Sequence, residues 1–330
     1  MDTIRWGILG TGLIATKFAT GLRVLPDAEL SAVGSRAQAT ADAFGDKFDV
    51  PRRHTSYQAL VEDPEVDVVY VGTPHSLHRD HSVLALQAGK AVLCEKPFAI
   101  NAAEAKQVIA VARQEGHFLM EAMWTRFLPA MQRVRQILVD GVIGDVRMAT
   151  ADFGFRTPFD PQHRLFDPHR GGGALLDVGV YMVSLASMVF GPPSRATGMA
   201  HLSETGVDEQ SAAILGYDGG QLFLLHTAVR TETPQEAILM GTSGWLRIHS
   251  PWWCPDTLTL SIPGQEAEEI RLPHEGNGYN YEATEVMNCL RAGELESAVV
   301  PLDESLEVMK TMDQIRAQWG LRYPMERVAA

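Results

Sequence analysis

Three residues in this chain have types and spacing suited to proton transfer: Lys96, Asp177 and Tyr181. Lys96 follows the apolar run Ala91-Val92-Leu93-Cys94 and Glu95, and Pro97 follows it. A proline cannot donate to a strand ladder, so the run ends there and its last charged side chains are delivered to a strand's end. Asp177 and Tyr181 lie four apart in Gly171-Gly172-Gly173-Ala174-Leu175-Leu176-Asp177-Val178-Gly179-Val180-Tyr181, which places them on one face of a helix. A free phenol titrates near about 10. A cation about 4 Å away, at an effective dielectric near about 20, stabilises its phenolate by roughly 4 kcal/mol, or up to about 3 pKa units. Desolvation works against the phenolate and trims that figure. An ionised aspartate beside it holds a hydroxyl by a charge-assisted hydrogen bond.

The elements that must position these groups read clearly in the first third of the chain. Apolar runs at 5–10, 28–35, 66–73, 91–96 and 118–124 alternate with helical periods such as 14–25, 82–89 and 103–114. Strands apolar on both faces belong to a parallel sheet covered by helices. The first of them runs into Gly10-Thr11-Gly12-Leu13-Ile14-Ala15, a GxGxxA turn opening a helix. Gly10 makes the tight turn, Gly12 lets a pyrophosphate approach the backbone, Ala15 allows close helix packing, and Leu13 and Ile14 sit beside the bound dinucleotide. The second strand ends in Ser35 and Arg36 with no Asp or Glu to bind a ribose 2′-hydroxyl. A hydroxyl and a planar cation suit a phosphate instead, so NADP is favoured and NAD is the less suited cofactor. Thr73 and Pro74 break the next strand and bring His75 and His78 to the carboxyl edge of the sheet, where open α/β folds bind ligands. His75, His78 and His81 are three apart, but no HExxH pattern or nearby carboxylate completes a zinc site, so a cofactor-facing role is expected and no metal. Glu95 and Lys96 reach the same edge, with Lys96 near the reacting end of the cofactor.

After residue 145 the texture changes to alternating strands with tight turns, among them 212–229 around Asp218-Gly219-Gly220 and 237–250. We therefore expect an α/β fold in two domains. Residues 1–123 form a doubly wound parallel sheet of the Rossmann type, and residues 124–330 a substrate-binding and dimerisation α+β domain with a mostly antiparallel open sheet. The sheet's outer face needs covering, and pairing with a second copy would supply it. A net charge of −13 with no basic run argues against nucleic acid or an anionic membrane as partner and for a small molecule. The scattered Cys94, Cys254 and Cys289 make no disulfide framework, and no segment is expected to reach the roughly 18 uncharged apolar residues of a membrane helix. A cytoplasmic location is expected.

The GxGxxA turn and the strand-borne Glu95-Lys96-Pro97 resemble the Gfo/Idh/MocA oxidoreductase family, and the resemblance extends over nearly the whole chain. Met120–Phe127, Gly171–Tyr181 and Pro251–Pro255 are most similar to its dihydrodiol and xylose dehydrogenase branch, and Tyr181 stands where many relatives carry histidine. The resemblance implies dimerisation through the second domain's sheet. It also implies reversible hydride transfer between the nicotinamide and a secondary alcohol of a sugar or cyclic diol. Tyr181 would take the proton, Lys96 would assist, and Asp177 would orient the substrate hydroxyl. Lys96 as the direct proton carrier stays an alternative. Trp124 and Trp252 are candidates for an apolar substrate wall. Arg164 is a candidate for reaching cofactor or substrate, with a structural ion pair as the competing reading. An NADP-binding sensor without catalysis and an inositol or keto-sugar oxidoreductase stay open as further alternatives.

Overall fold

The structure, a computed structural model, describes residues 3–327. The chain forms two compact units. The first contains residues up to Ala99, Ala103–Trp124 and Glu275–Ser305; the second contains Ile100–Ala102, Thr125–His274 and the chain from Leu306 onward.

The first unit is built on β1 (Ile4–Leu9), β2 (Ala28–Gly34), β3 (Arg52–His54), β4 (Val68–Val71), β5 (Ala91–Glu95) and β6 (Leu119–Ala122). They form one parallel sheet in the order β3-β2-β1-β4-β5-β6, which reverses direction between β1 and β4. All four residues of β4 are buried, as are all five of β5, which is why these strands read as unbroken apolar runs. β3 escaped the reading because its three residues are Arg52, Arg53 and His54, with no apolar signal. Phe18, from the helix Leu13–Leu22, stacks on Tyr70 of β4 at 3.9 Å, an aromatic contact that adds about 0.5–1.5 kcal/mol to area burial. The expected boundary assigned everything beyond residue 123 to the second domain. The helix Tyr279–Ala292 instead packs on the helix Leu13–Leu22, and Gly21 is the point of contact: a Cβ there would meet Cβ of Tyr279 at 2.8 Å.

The second unit holds β7 (Val146–Gly154), β8 (Arg195–Leu202), β9 (Asp208–Gly216), β10 (Leu222–Ala228), β11 (Ala237–Gly241), β12 (Trp245–Ile248), β13 (Thr257–Ser261) and β14 (Glu268–Arg271). Their order is β14-β13-β12-β11-β7-β10-β9-β8. Every pairing is antiparallel except β7 with β10, so the sheet is mostly antiparallel, as expected. The predicted hairpins at 212–229 and 237–250 are β9–β10 and β11–β12. Burial alternates residue by residue along β8 and β13, the mark of strands with one covered face. The inner face carries the helix Val180–Phe190, preceded by a π-helical turn over Leu175–Gly179. The stretch Pro168–Phe190 is 23 residues long and apolar enough to span a membrane, against the expectation that none would be. In this fold 78% of that window is buried, which accounts for its composition.

Candidate active site

In the first unit the glycine turn has the shape a dinucleotide requires. Gly10 has φ +106°, which L side chains rarely adopt, and a Cβ there would lie 3.0 Å from the Gly72 carbonyl oxygen. At Gly12 the space beside Cα is open, and the helix it precedes has no side-chain cap and no acid in its first turn. Its N–H groups and dipole are thus available to an anion. Leu13 is 76% exposed at this turn, an apolar side chain that a bound dinucleotide would cover. Ile14 lies beside it and touches the Gly72 position. These residues fit a pyrophosphate.

At the end of β2, Ser35 is buried with its hydroxyl 2.5 Å from that of Thr40, which in turn donates to the Ala37 carbonyl. Ser35 is therefore committed to its own turn. Arg36 next to it is exposed and forms no ion pair among the described residues, as a phosphate-binding cation would be before its ligand arrives. At the end of β4, the Thr73 hydroxyl meets His81 Nδ1 at 3.0 Å, Pro74 is exposed and His75 is buried. His78 is wholly enclosed, with Nδ1 2.8 Å from the Pro97 carbonyl and Nε2 2.9 Å from the Thr73 carbonyl. Burial pushes its pKa down to about 4, against the pull of those carbonyls, so the ring is neutral near pH 7 and donates to one of the two. It ties the β4 turn to the β5 turn.

Glu95 is likewise buried. Its Oε1 accepts from the Tyr70 hydroxyl at 2.5 Å and its Oε2 from the backbone N–H of Lys96 at 3.2 Å, and the Lys96–Pro97 bond that follows is cis. The acidic member of the pair is an internal anchor for the turn, and Lys96, half-buried, is the member at the surface of the edge. Tyr70, which holds that anchor, gave no sign of its role within the apolar β4 run. Trp124 is buried against Tyr279, rings stacked at 4.5 Å.

In the second unit the glycine run explains the site. A Cβ on Gly172 would come within 2.7 Å of the Leu165 carbonyl, and one on Gly173, at φ +114°, within 2.3 Å of Asp208 Oδ1. Gly172 lets the loop carrying Arg164 lie this close to the start of the helix, and Gly173 lets Asp208 do so. Arg164 then reaches Asp177 with both nitrogens, at 2.8 and 3.3 Å. Asp177 and Tyr181 are 4% and 6% exposed, while the Arg164 side chain is 52% exposed. Burial opposes the arginine's charge and is outweighed by Asp177 and then Tyr181, so its pKa is raised. Asp208 is fully buried and its Oδ2 accepts from the Leu175 N–H at 2.7 Å, anchoring the helix start; burial raises its pKa to about 7. Tyr181 packs on Phe153 at 5.6 Å, and Phe153 stacks on Trp253 at 4.9 Å. Trp252, expected on a substrate wall, is 1% exposed and donates its indole N–H to the Asp152 carbonyl. Its neighbour Trp253, half-buried, is the indole that joins the Phe153–Tyr181 cluster.

A profile described as "Oxidoreductase family, NAD-binding Rossmann fold" matches residues 4–123, and the GFO/IDH/MocA C-terminal domain matches residues 131–247. The chain belongs to the Gfo/Idh/MocA oxidoreductase family. Among its relatives, trans-1,2-dihydrobenzene-1,2-diol dehydrogenase of Mus musculus is 40% identical over 336 residues, covering 98% of this chain and 99% of the relative. The Homo sapiens protein of the same name is 39% identical over 333 residues, with the same coverages. A 3-ketoreductase from Actinomadura kijaniata, solved with NADP and TDP-benzene, superposes with a TM-score of 0.86 at 28% identity, covering 96% of this chain and 98% of that one. This chain is accordingly an oxidoreductase with a nicotinamide-dinucleotide-binding Rossmann unit.

Proposed function

We propose that this oxidoreductase uses NADP to oxidise a secondary alcohol of a sugar or cyclic diol, or to reduce the matching ketone, with Tyr181 as the acid–base and Lys96 as its electrostatic support. The observation that carries this is the Arg164–Asp177–Tyr181 grouping: a phenol and a carboxylate, both buried, on consecutive turns of one helix. A phenol placed so is fit to exchange a proton with a hydroxyl. Bound NADP supplies the hydride acceptor. Gly10, Gly12, Leu13 and Ile14 would hold its pyrophosphate region and Arg36 its 2′-phosphate. Lys96 would stand at the reactive end, kept there by the Glu95 and His78 ties. Asp177 has a bidentate guanidinium on it, so it would orient the substrate hydroxyl through its remaining lone pairs. The dihydrodiol dehydrogenases and the NADP-bound ketoreductase support the substrate class and the cofactor.

We also propose that the protein works as a homodimer through the second unit's sheet. Met199 and Ile214, on β8 and β9, are 82% and 42% exposed on it. Both line, with Leu224 and Ile238, an apolar groove on the sheet.

The test is a panel of xylose, glucose, inositols and cyclic diols with NADP and with NAD, run on the wild type and on Tyr181→Phe. Turnover of a sugar or diol by the wild type, lost by at least about 100-fold in the variant with NADP binding intact, is expected. Tight NADP binding with no turnover of any substrate favours a sensor. Near-normal turnover by Tyr181→Phe passes the proton role to Lys96.

A further inference from the structure

Arg164 touches the aspartate and not the phenol, yet its charge bears on both. Asp177 is almost wholly buried and stands four residues from Tyr181 across a π-helical turn. An uncompensated carboxylate there would oppose phenolate formation, since like charges close together in a low-dielectric setting each disfavour the other's ionisation. The guanidinium meets both carboxylate oxygens.

We infer that Arg164 is a charge-balancing residue, the partner that lets Asp177 stand beside the acid–base tyrosine without suppressing that tyrosine's ionisation. The inference rests on the acid–base reading of Tyr181 and adds a second cation to it, one carried by the same unit as the phenol. Gly172 lets Arg164 come within reach, since a side chain there would push the loop away.

Of the other charged groups on elements packed against this helix, Arg126 is bonded to the helix itself and the rest are engaged with backbone or face the outer groove. Arg126 donates to the Ser184 carbonyl and hydroxyl at 3.3 Å each. Asp152 of β7 accepts from the N–H groups of Gln235 and Glu236. His226 of β10 lies with Asp152 along the sheet's outer groove, and Asp208 of β9 holds the Leu175 N–H. Asp177 and Arg164 are therefore an ion pair within this unit whose charges bear on the phenol, beside the Arg126 cation held at Ser184 on the same helix. Lys96 acts from the other unit under the proposed function.

The decisive experiment is a phenolate absorbance titration of the cofactor-free protein, with Tyr181 isolated from the other six of the seven tyrosines by subtracting a Tyr181→Phe trace. It is run as a cycle on wild type, Arg164→Met, Asp177→Asn and the double variant, each checked for fold by circular dichroism. Arg164→Met should raise the Tyr181 midpoint by about one pH unit, Asp177→Asn should lower it by a similar amount, and the double variant should return close to wild type. Arg164→Lys keeps the cation, loses the fork, and should stay near wild type. A midpoint that does not move in Arg164→Met, or a double variant no closer to wild type than the single ones, overturns the inference. Equal behaviour of the Lys and Met variants overturns it too, leaving the arginine a structural fork. If Arg164→Met does not fold, Arg164→Gln takes its place in the cycle under the same criteria. Because the titration reads ionisation and not turnover, it stands apart from the fate of the acid–base reading: near-normal activity in Tyr181→Phe would sink that reading and leave this cycle interpretable.

Discussion

Under the proposed function a single exposed side chain, Arg36, sets cofactor preference. It has no ion-pair partner among the described residues at the end of β2, while the neighbouring Ser35 hydroxyl is spent on Thr40. A charge-assisted contact to a phosphate contributes about 1.5–3 kcal/mol, so Arg36→Ala should weaken NADP by about 10- to 100-fold and leave NAD within about twofold. Calorimetric titration with the two cofactors checks this, and equal loss for both would remove Arg36 from 2′-phosphate recognition. Candidates stood out in the sequence by residue type and spacing, as at Gly10, Lys96, Asp177 and Tyr181. Side-chain partners did not. Nothing in the spacing of Glu95 and Lys96 shows that the first turns inward to Tyr70, and nothing in Trp252-Trp253 shows which indole is buried. Those outcomes depend on which residues face each other across non-consecutive strands.

At the scale of elements, the helix bearing Asp177 and Tyr181 begins on a titratable anchor. Asp208 has its pKa raised from 3.8 to about 7 by burial, despite the Leu175 N–H and the charge of Arg316. An acid whose folded-state pKa exceeds its unfolded one contributes stability that is whole below about pH 4 and is lost as pH rises through about 7. About three units correspond to at most about 4 kcal/mol. Asp208→Asn, whose amide oxygen still accepts from Leu175, should therefore flatten the fall in melting temperature between about pH 4 and 7 relative to wild type. Parallel melting curves for the two proteins across that range would contradict the anchor's role. The apolar runs announced the buried strands, and Asp218-Gly219-Gly220 announced the hairpin of β9 and β10, because these signals are local. The π-turn over Leu175–Gly179 was not legible, since the same residues suit an ordinary helix and it is Asp208 and the Arg164 loop that fix the start. The parallel pairing of β10 with β7 was hidden for a similar reason: it joins segments about 75 residues apart, for example Leu222 with Met148.

At the scale of the whole molecule, the compact units depart from sequence order in two pieces: residues 275–305 group with the nucleotide-binding unit, packing at Gly21, and Ile100–Ala102 group with the second. The proposed dimer makes a plain prediction: sedimentation at micromolar concentration should give twice the 36.2 kDa chain mass, and Met199→Glu with Ile214→Glu should halve it. A wild type that sediments as a single chain would refute the dimer. The proposed function has Lys96 assist Tyr181 in proton transfer. Its most direct test is the pH dependence of kcat/KM for alcohol oxidation by wild type and Lys96→Met. Oxidation needs the phenolate, so activity should rise with pH through a midpoint well below the free-phenol value of about 10. In the variant that midpoint should move upward, by as much as about 3 units. A midpoint that stays in place when the ammonium is removed would contradict the account.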